Sequence, residues 1–223
     1  MKTLSIPLMT LALGVSLSAC DIKHGPQEYS VSITNLTHAQ PLSPPAALLH
    51  RSSFSAWSVG DSASDALELM AEGGDASDLL ALQPHAVDYS ANAPLLPGET
   101  TQFTLTTFNR SLNHLTLAGM LVNTNDAFSG IDAMELGELQ EGHTRVVYTY
   151  ALDAGTEANS ELVGTIPGPA DGGEGFNAAR DDVTSVVTYH GGVVSQDDGH
   201  VNSVLTEAHR FIGPVLRVEI TAL

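Results

Sequence analysis

One cysteine in 223 residues, eight lysines and arginines, and a single tryptophan are the scarcities that bound this chain. With Cys20 as the only thiol, no intrachain disulfide can form, so an exported fold must stand on its hydrophobic core. Eight basic against 26 acidic residues, a formal charge of −18, exclude a nucleic-acid binder, because phosphate recognition needs clustered Lys and Arg. Aromatic residues make up 5%, so no stacking platform for sugars or bases stands out. Gly-x-Ser-x-Gly is absent, which removes that route to a serine nucleophile. What remains is 43% hydrophobic residues in a length that suits one domain with a sizeable core.

The first twenty residues have a pattern of their own. Met1-Lys2-Thr3 is a short charged start, and Leu4 to Leu17 is an apolar stretch. It falls short of the roughly 20 residues that span a bilayer, so it is expected to be the hydrophobic region of a signal peptide. It ends in Leu17-Ser18-Ala19-Cys20, which matches the bacterial lipobox. The expectation is cleavage before Cys20 and acylation of its thiol, which also accounts for the lone cysteine. Residues 1–19 would then be the signal peptide, 20–27 a lipidated polar tether, and 28–223 the folded domain. The partner implied is a membrane, reached through the lipid, with the domain outside the cytoplasm. Asp21 resembles an inner-membrane retention signal; the choice between inner and outer membrane stays open.

Past the tether, apolar residues recur with a period of two. Tyr29, Val31 and Ile33 alternate with small polar residues, and Leu216, Val218 and Ile220 do the same at the far end. One buried and one wet face predict β-strands. First and last strands of this kind are expected to be neighbours. Further strands are predicted over 101–107, 114–123, 144–151 and 183–190, separated by turn signals such as Leu96-Pro97-Gly98-Glu99. Residues 61–83 instead read as helical, with Ser62 and Asp65 resembling a capping box. Gly73-Gly74 interrupts them, predicting two short helices. Residues 171–182 read as an exposed, Gly-rich loop.

Two segments concentrate oxygen donors. Asn123 to Asp132 follows one predicted strand, and Asp153 to Glu161 follows another. Calcium takes six to eight oxygens, and these loops supply Asp, Asn and Glu in number; magnesium prefers fewer protein ligands. The competing reading is that Asp and Asn merely cap turns. Neither loop has EF-hand spacing. His190, His200 and His209 around Asp197-Asp198 are conceivable transition-metal ligands, but the ten-residue gap fits no short motif, and a surface turn explains them more simply. Paired carboxylates for hydrolysis of an envelope or extracellular polymer are the alternative function, without aromatic subsites to accompany them.

Asn125-Asp126-Ala127-Phe128-Ser129-Gly130 followed by Asp153-Ala154-Gly155-Thr156-Glu157 resembles the paired motifs of spondin N-terminal domains. In animal members these read like Pro-Asp-Trp-x-Val-Gly and Asp-Ala-Gly-Thr-Asp. Bacterial members are closer, sharing the segments at Tyr29 to Thr37, Gln40 to Pro45 and Leu95 to Glu99. The resemblance spans about residues 28–222. It implies an all-β fold, an antiparallel C2-like β-sandwich with one or two short helices inserted. It also implies a Ca2+ site at one end, with Asp126, Asp153 and Glu157 as metal ligands and Asp132, Asn125 and Glu161 as secondary candidates. Ala127 stands where the animal motif has Trp, and the animal cysteines are missing, so animal-type partners do not carry over. The function expected is a non-enzymatic adhesion or interaction module of the cell envelope, binding an extracellular or periplasmic protein or polysaccharide.

Overall fold

The computed structural model describes residues 25–179 and 186–223. Cys20 and the first part of the strand expected over 183–190 lie outside these residues. Among the described residues ten strands and two short α-helices follow one another. β1 (Gln27–Asn35) and β2 (Ala46–His50) precede α1 (Asp65–Gly73) and α2 (Ser77–Ala81). Then come β3 (Val87–Ser90), β4 (Thr100–Thr107), β5 (His114–Met120), β6 (Ala127–Glu135), β7 (Thr144–Thr149), β8 (Leu152–Asp153), β9 (Thr188–Tyr189) and β10 (Leu216–Ala222).

They form two antiparallel sheets, ordered β4-β1-β10-β7 and β3-β2-β5-β6-β8-β9. First and last strands are neighbours, in register from Tyr29 against Ala222 to Asn35 against Leu216. The alternation read from the sequence is the packing: Tyr29, Val31, Ile33, Val218 and Ile220 are buried, while the serines and threonines between them face outward. Against them lie Leu49, Leu115, Leu117 and Ile131 of the second sheet, closing a β-sandwich core. A second apolar cluster, with Leu67 and Met70 of α1 and Met120 and Phe128 of the second sheet, seals that sheet's outer face beneath the helices. Among the described residues no helix is long and apolar enough to cross a membrane.

The helices break where the glycine pair predicts. Gly74 takes φ 73° and closes α1 by donating its N–H to the Met70 carbonyl, a left-handed cap that glycine adopts without strain. The N-cap is Ser64 rather than Ser62; its hydroxyl accepts from Leu67 N–H. Ser64 has Leu67 rather than an acid three residues on, and the helix starts where Leu67 and Met70 reach the sheet.

Four strands escape the sequence reading, the two-residue β8 just past the strand expected over 144–151 among them. β2 is buried at all five positions, so it has no alternation to see. β3 is a four-residue edge strand. β6 occupies positions taken above for the second half of an acidic loop. That loop is only the turn between Met120 and Ala127, after which the chain re-enters the sheet with Ala127, Phe128 and Ser129 buried. A side chain at Gly130 would sit 1.8 Å from the Leu117 carbonyl oxygen, so the close approach of β5 and β6 beside the bulge between Leu115 and Leu117 requires glycine there.

His50, at the end of β2, gives a pH-dependent contribution. It is fully buried, and its ring nitrogens lie 2.8 Å from the Arg51 carbonyl and from Thr116 Oγ1. Burial lowers its pKa, outweighing the Arg51 carbonyl and Asp132, which raise it. A histidine whose folded pKa is depressed stabilises the fold above its unfolded pKa, near 6.5, and loses that contribution as pH falls toward the folded value. Buried Asp126 gives the opposite slope over the same range, so the His50 contribution is read as a difference: between pH 7 and 5 the melting temperature of the parent is expected to fall relative to that of His50→Gln. Parallel slopes for the two proteins would show that His50 does not titrate as described.

Candidate functional site

The site is built where β6 begins and β8 ends. Ala127 pairs with Asp153, so the register alone sets Asp126 beside the β8 terminus. A tight turn presents Asp126: Thr124 Oγ1 donates to the Leu121 carbonyl at 2.6 Å and accepts from Ala127 N–H at 3.0 Å. Asn123 anchors that turn through reciprocal bonds with Gln40, whose amide accepts from Asn123 N–H and donates to its carbonyl. Close behind runs Gly168, where a Cβ would lie 2.3 Å from Asn123 Oδ1 and the Val122 carbonyl.

Asp126 is fully buried. Its Oδ2 accepts from Thr156 N–H at 2.9 Å and Glu157 N–H at 3.2 Å; its Oδ1 has no hydrogen-bond partner. Burial first, and the negative charge of Asp153 second, push its pKa up to about 7, against the lowering effect of the two N–H donors. Thr156 Oγ1, in the loop after β8 whose N–H groups hold Asp126, is a second buried oxygen without a hydrogen-bond partner. Native proteins seldom leave such atoms unmet, and an ordered water or an ion meets them where no protein group does.

Asp153 accepts from Gly155 N–H at 2.8 Å and from Asn159 Nδ2 at 2.6 Å. Gly155, at φ 71°, lets the chain reverse there. Asn159 Oδ1 lies 3.1 Å from His190 Nε2, and His190 Nδ1 accepts from Gly192 N–H. In the neutral ring, favoured by burial, Nε2 is thus the donor, and a chain of polar groups runs from His190 through Asn159 to Asp153.

The six candidate ligands do not all converge. Asn125 is scaffold: its Oδ1 accepts from Glu161 N–H at 3.0 Å, and its Nδ2 donates to Glu157 Oε1 at 2.8 Å and Thr165 Oγ1 at 3.0 Å. Glu157 is buried and turned toward Asn125. Glu161 points away, accepting from Val194 N–H at 2.7 Å. Asp132 belongs elsewhere: it lies within β6, six residues and about 20 Å of strand beyond Asp126, and accepts from Ala56 N–H, Ser55 and Thr116. Its assignment followed from taking 123–132 as one loop, and the strand carries it away. Among the described residues no group of three or more His, Cys, Asp and Glu side chains is arranged to hold a metal ion.

One acid near the site has no signal in the sequence. Glu72, buried at the end of α1, is close enough to add its charge to that of Asp153 in raising the Asp126 pKa. The histidine constellation is not assembled either. His200 Nε2 lies 3.0 Å from the Ser160 carbonyl, His209 Nδ1 accepts from Thr206 N–H, and Asp198 pairs with Arg210, which helps pull its pKa down to about 2. These are turn-forming contacts.

Carboxylate and hydroxyl oxygens suit a hard cation. The orphaned Asp126 Oδ1, the neighbouring charge of Asp153 and the Thr156 hydroxyl fit one. Glu161 and Asp132 do not. The fold and this loop pair define a two-sheet β-sandwich with a buried acidic turn at one end. The sequence matches the spondin N-terminal family (Spondin_N) over residues 24–163, well over half its length, and the chain belongs to that family. The match ends before β9 and β10, short of the span to 222 suggested by the motifs; β10 nonetheless sits between β1 and β7. No curated protein matches the chain.

Proposed function

We propose that this chain is a lipid-anchored, calcium-binding β-sandwich that serves as an adhesion or interaction module of the bacterial cell envelope. The observation that supports the calcium reading is the fully buried Asp126, with Oδ1 unmet beside a second carboxylate. A divalent cation removes the repulsion between Asp126 and Asp153 and supplies the missing partner. The residues that would hold it are Asp126, Asp153 and Thr156, completed by backbone carbonyls, with Glu157 at the margin. Full burial of Asp126 favours binding over hydrolysis, which needs an acid open to substrate. The partner is an extracellular or periplasmic protein or polysaccharide. The test is calorimetric titration of residues 21–223 with calcium. One site is expected, lost in Asp126→Asn; absence of binding in the parent ends the calcium reading.

Anchoring is supported by Leu17-Ser18-Ala19-Cys20 and by the absence of any other cysteine. Cells fed radiolabelled palmitate are expected to label the parent and not Cys20→Ser, since only the thiol is acylated. Equal labelling of both forms removes the anchor.

A further inference from the structure

The strand registers give the sandwich two distinct ends. At one, Gln27 of β1 pairs with Thr107 of β4, Tyr29 with Ala222 of β10, and Thr221 with Thr144 of β7. At the other, Asn35 pairs with Leu216 and Leu216 with Thr149. From Thr149 the chain reaches Asp153 in four residues, and Gln40, tied to Asn35, also holds the Asn123 turn. The Asp126 site is therefore at the end opposite to the one where the N-terminal segment enters β1.

That entry end presents exposed apolar side chains. Phe108, directly after β4, is 81% exposed, and the C-terminal Leu223 is 55% exposed with its N–H on the Glu28 carbonyl. Leu223 lines a recess of about 190 Å³ together with Leu139 and Arg110. The outer face of the four-stranded sheet carries Ser30, Ser32, Gln102 and Thr104 beside the exposed Val146 and Tyr148, and α1 and α2 cover the other sheet.

Chain length decides the orientation. Seven residue steps lead from Cys20 to Gln27. Fully extended, they reach about 25 Å. The nine residues of β1 span about 30 Å from one end to the other. The tether is too short to let the domain turn over and bring the Asp126 end to the bilayer, and it holds the Phe108 end at high effective concentration near the lipid. Glu28, Glu138 and Glu141 at that end disfavour an anionic surface, so the complementary partner is a zwitterionic headgroup layer.

We propose that the sandwich stands on the bilayer through Phe108 and Leu223, with Phe108 in the headgroup layer and the Asp126 end facing outward. This rests on the anchor at Cys20. Because acylation consumes the native thiol, single cysteines can be placed at will. Phe108→Cys, Thr104→Cys and Ile212→Cys in the full lipidated chain are labelled with an environment-sensitive fluorophore. They are reconstituted into phosphatidylcholine–phosphatidylethanolamine vesicles containing a nitroxide-labelled lipid. All three positions are exposed, so the substitutions leave the fold in place, and Leu223→Cys gives a second reading at the docking end. The probe at 108 is expected to be quenched at least threefold more than those at 104 and 212. Flotation of the vesicles reads the anchor separately. A chain that floats but shows equal quenching at all positions, or strongest quenching at 104 or 212, overturns the docking alone. A chain that fails to float overturns the anchor and the docking with it.

Discussion

Calcium at about 100 times its dissociation constant is expected to raise the melting temperature of residues 21–223 by about 5–10 °C. Linkage gives roughly 2.7 kcal/mol of stabilisation at that ratio. For a domain of this size each kcal/mol moves the midpoint by about 2–4 °C. The physical source is local. Without a cation, Asp126 is buried with one oxygen unmet, and Asp153 adds like-charge repulsion. With a cation, the turn before β6 and the loop after β8 are cross-linked. Asp126→Asn and Asp153→Asn are each expected to lose most of the shift. Without calcium, Asp126→Asn is expected to melt at or above the parent, since it removes a buried charge while keeping the side chain's shape. Asp88→Asn, exposed on edge strand β3, keeps the full shift. Should both site variants respond to calcium as the parent does, the acidic turns are only turns. Asp171 is unsuited as the control, because its carboxylate accepts from Gly164 N–H and fastens the loop.

The second large effect concerns the residue that carries the site into the core. Phe128 is fully buried two positions after Asp126, with its ring 5.1 Å from that of Trp57 in edge-to-face contact. It belongs to the cluster that fastens α1, through Leu67 and Met70, to the second sheet. Truncating it leaves a cavity that a two-sided contact cannot close. Phe128→Ala is expected to cost about 3–5 kcal/mol, a fall in midpoint on the order of 10 °C. Denaturant unfolding measures it. A loss below about 1 kcal/mol would mean that helix and sheet repack without the ring. Phe176→Ala, on a side chain that is 38% exposed, is expected to cost far less.

The two ends of the chain were legible because their strands have one wet face. Tyr29-Val31-Ile33 and Leu216-Val218-Ile220 alternate, and alternation translates directly into a sheet with a buried side. The helical break at Gly73-Gly74 was legible for a similar reason: a left-handed cap demands glycine, and the demand is local. β2 was not, because Ala46–His50 is buried all round and has no period to read. β6 was hidden by its neighbour, since Asn123 to Asp126 and Asp132 look like one run of oxygen donors until the register shows a turn followed by a strand.

The sequence by itself determined the class of fold, the pair of segments from which the candidate site is drawn, and the chemistry of their side chains. Composition, period and turn residues are one-dimensional properties, and so is the Leu-Ser-Ala-Cys motif with its short tether. Only the tertiary structure decided which acids meet. Asp126 and Asp153 lie side by side because β6 pairs with β8, a relation between strands about 27 residues apart in sequence. Asp132 left the group because a strand advances about 3.3 Å per residue and carried it down the sheet. Asn125 and Glu161 were taken up in holding the loops, since buried backbone N–H groups must be met before side-chain oxygens are free for a cation. Glu72 entered because a helix and a sheet far apart in the chain pack through one apolar cluster, and such contacts leave no mark in the local pattern of residues.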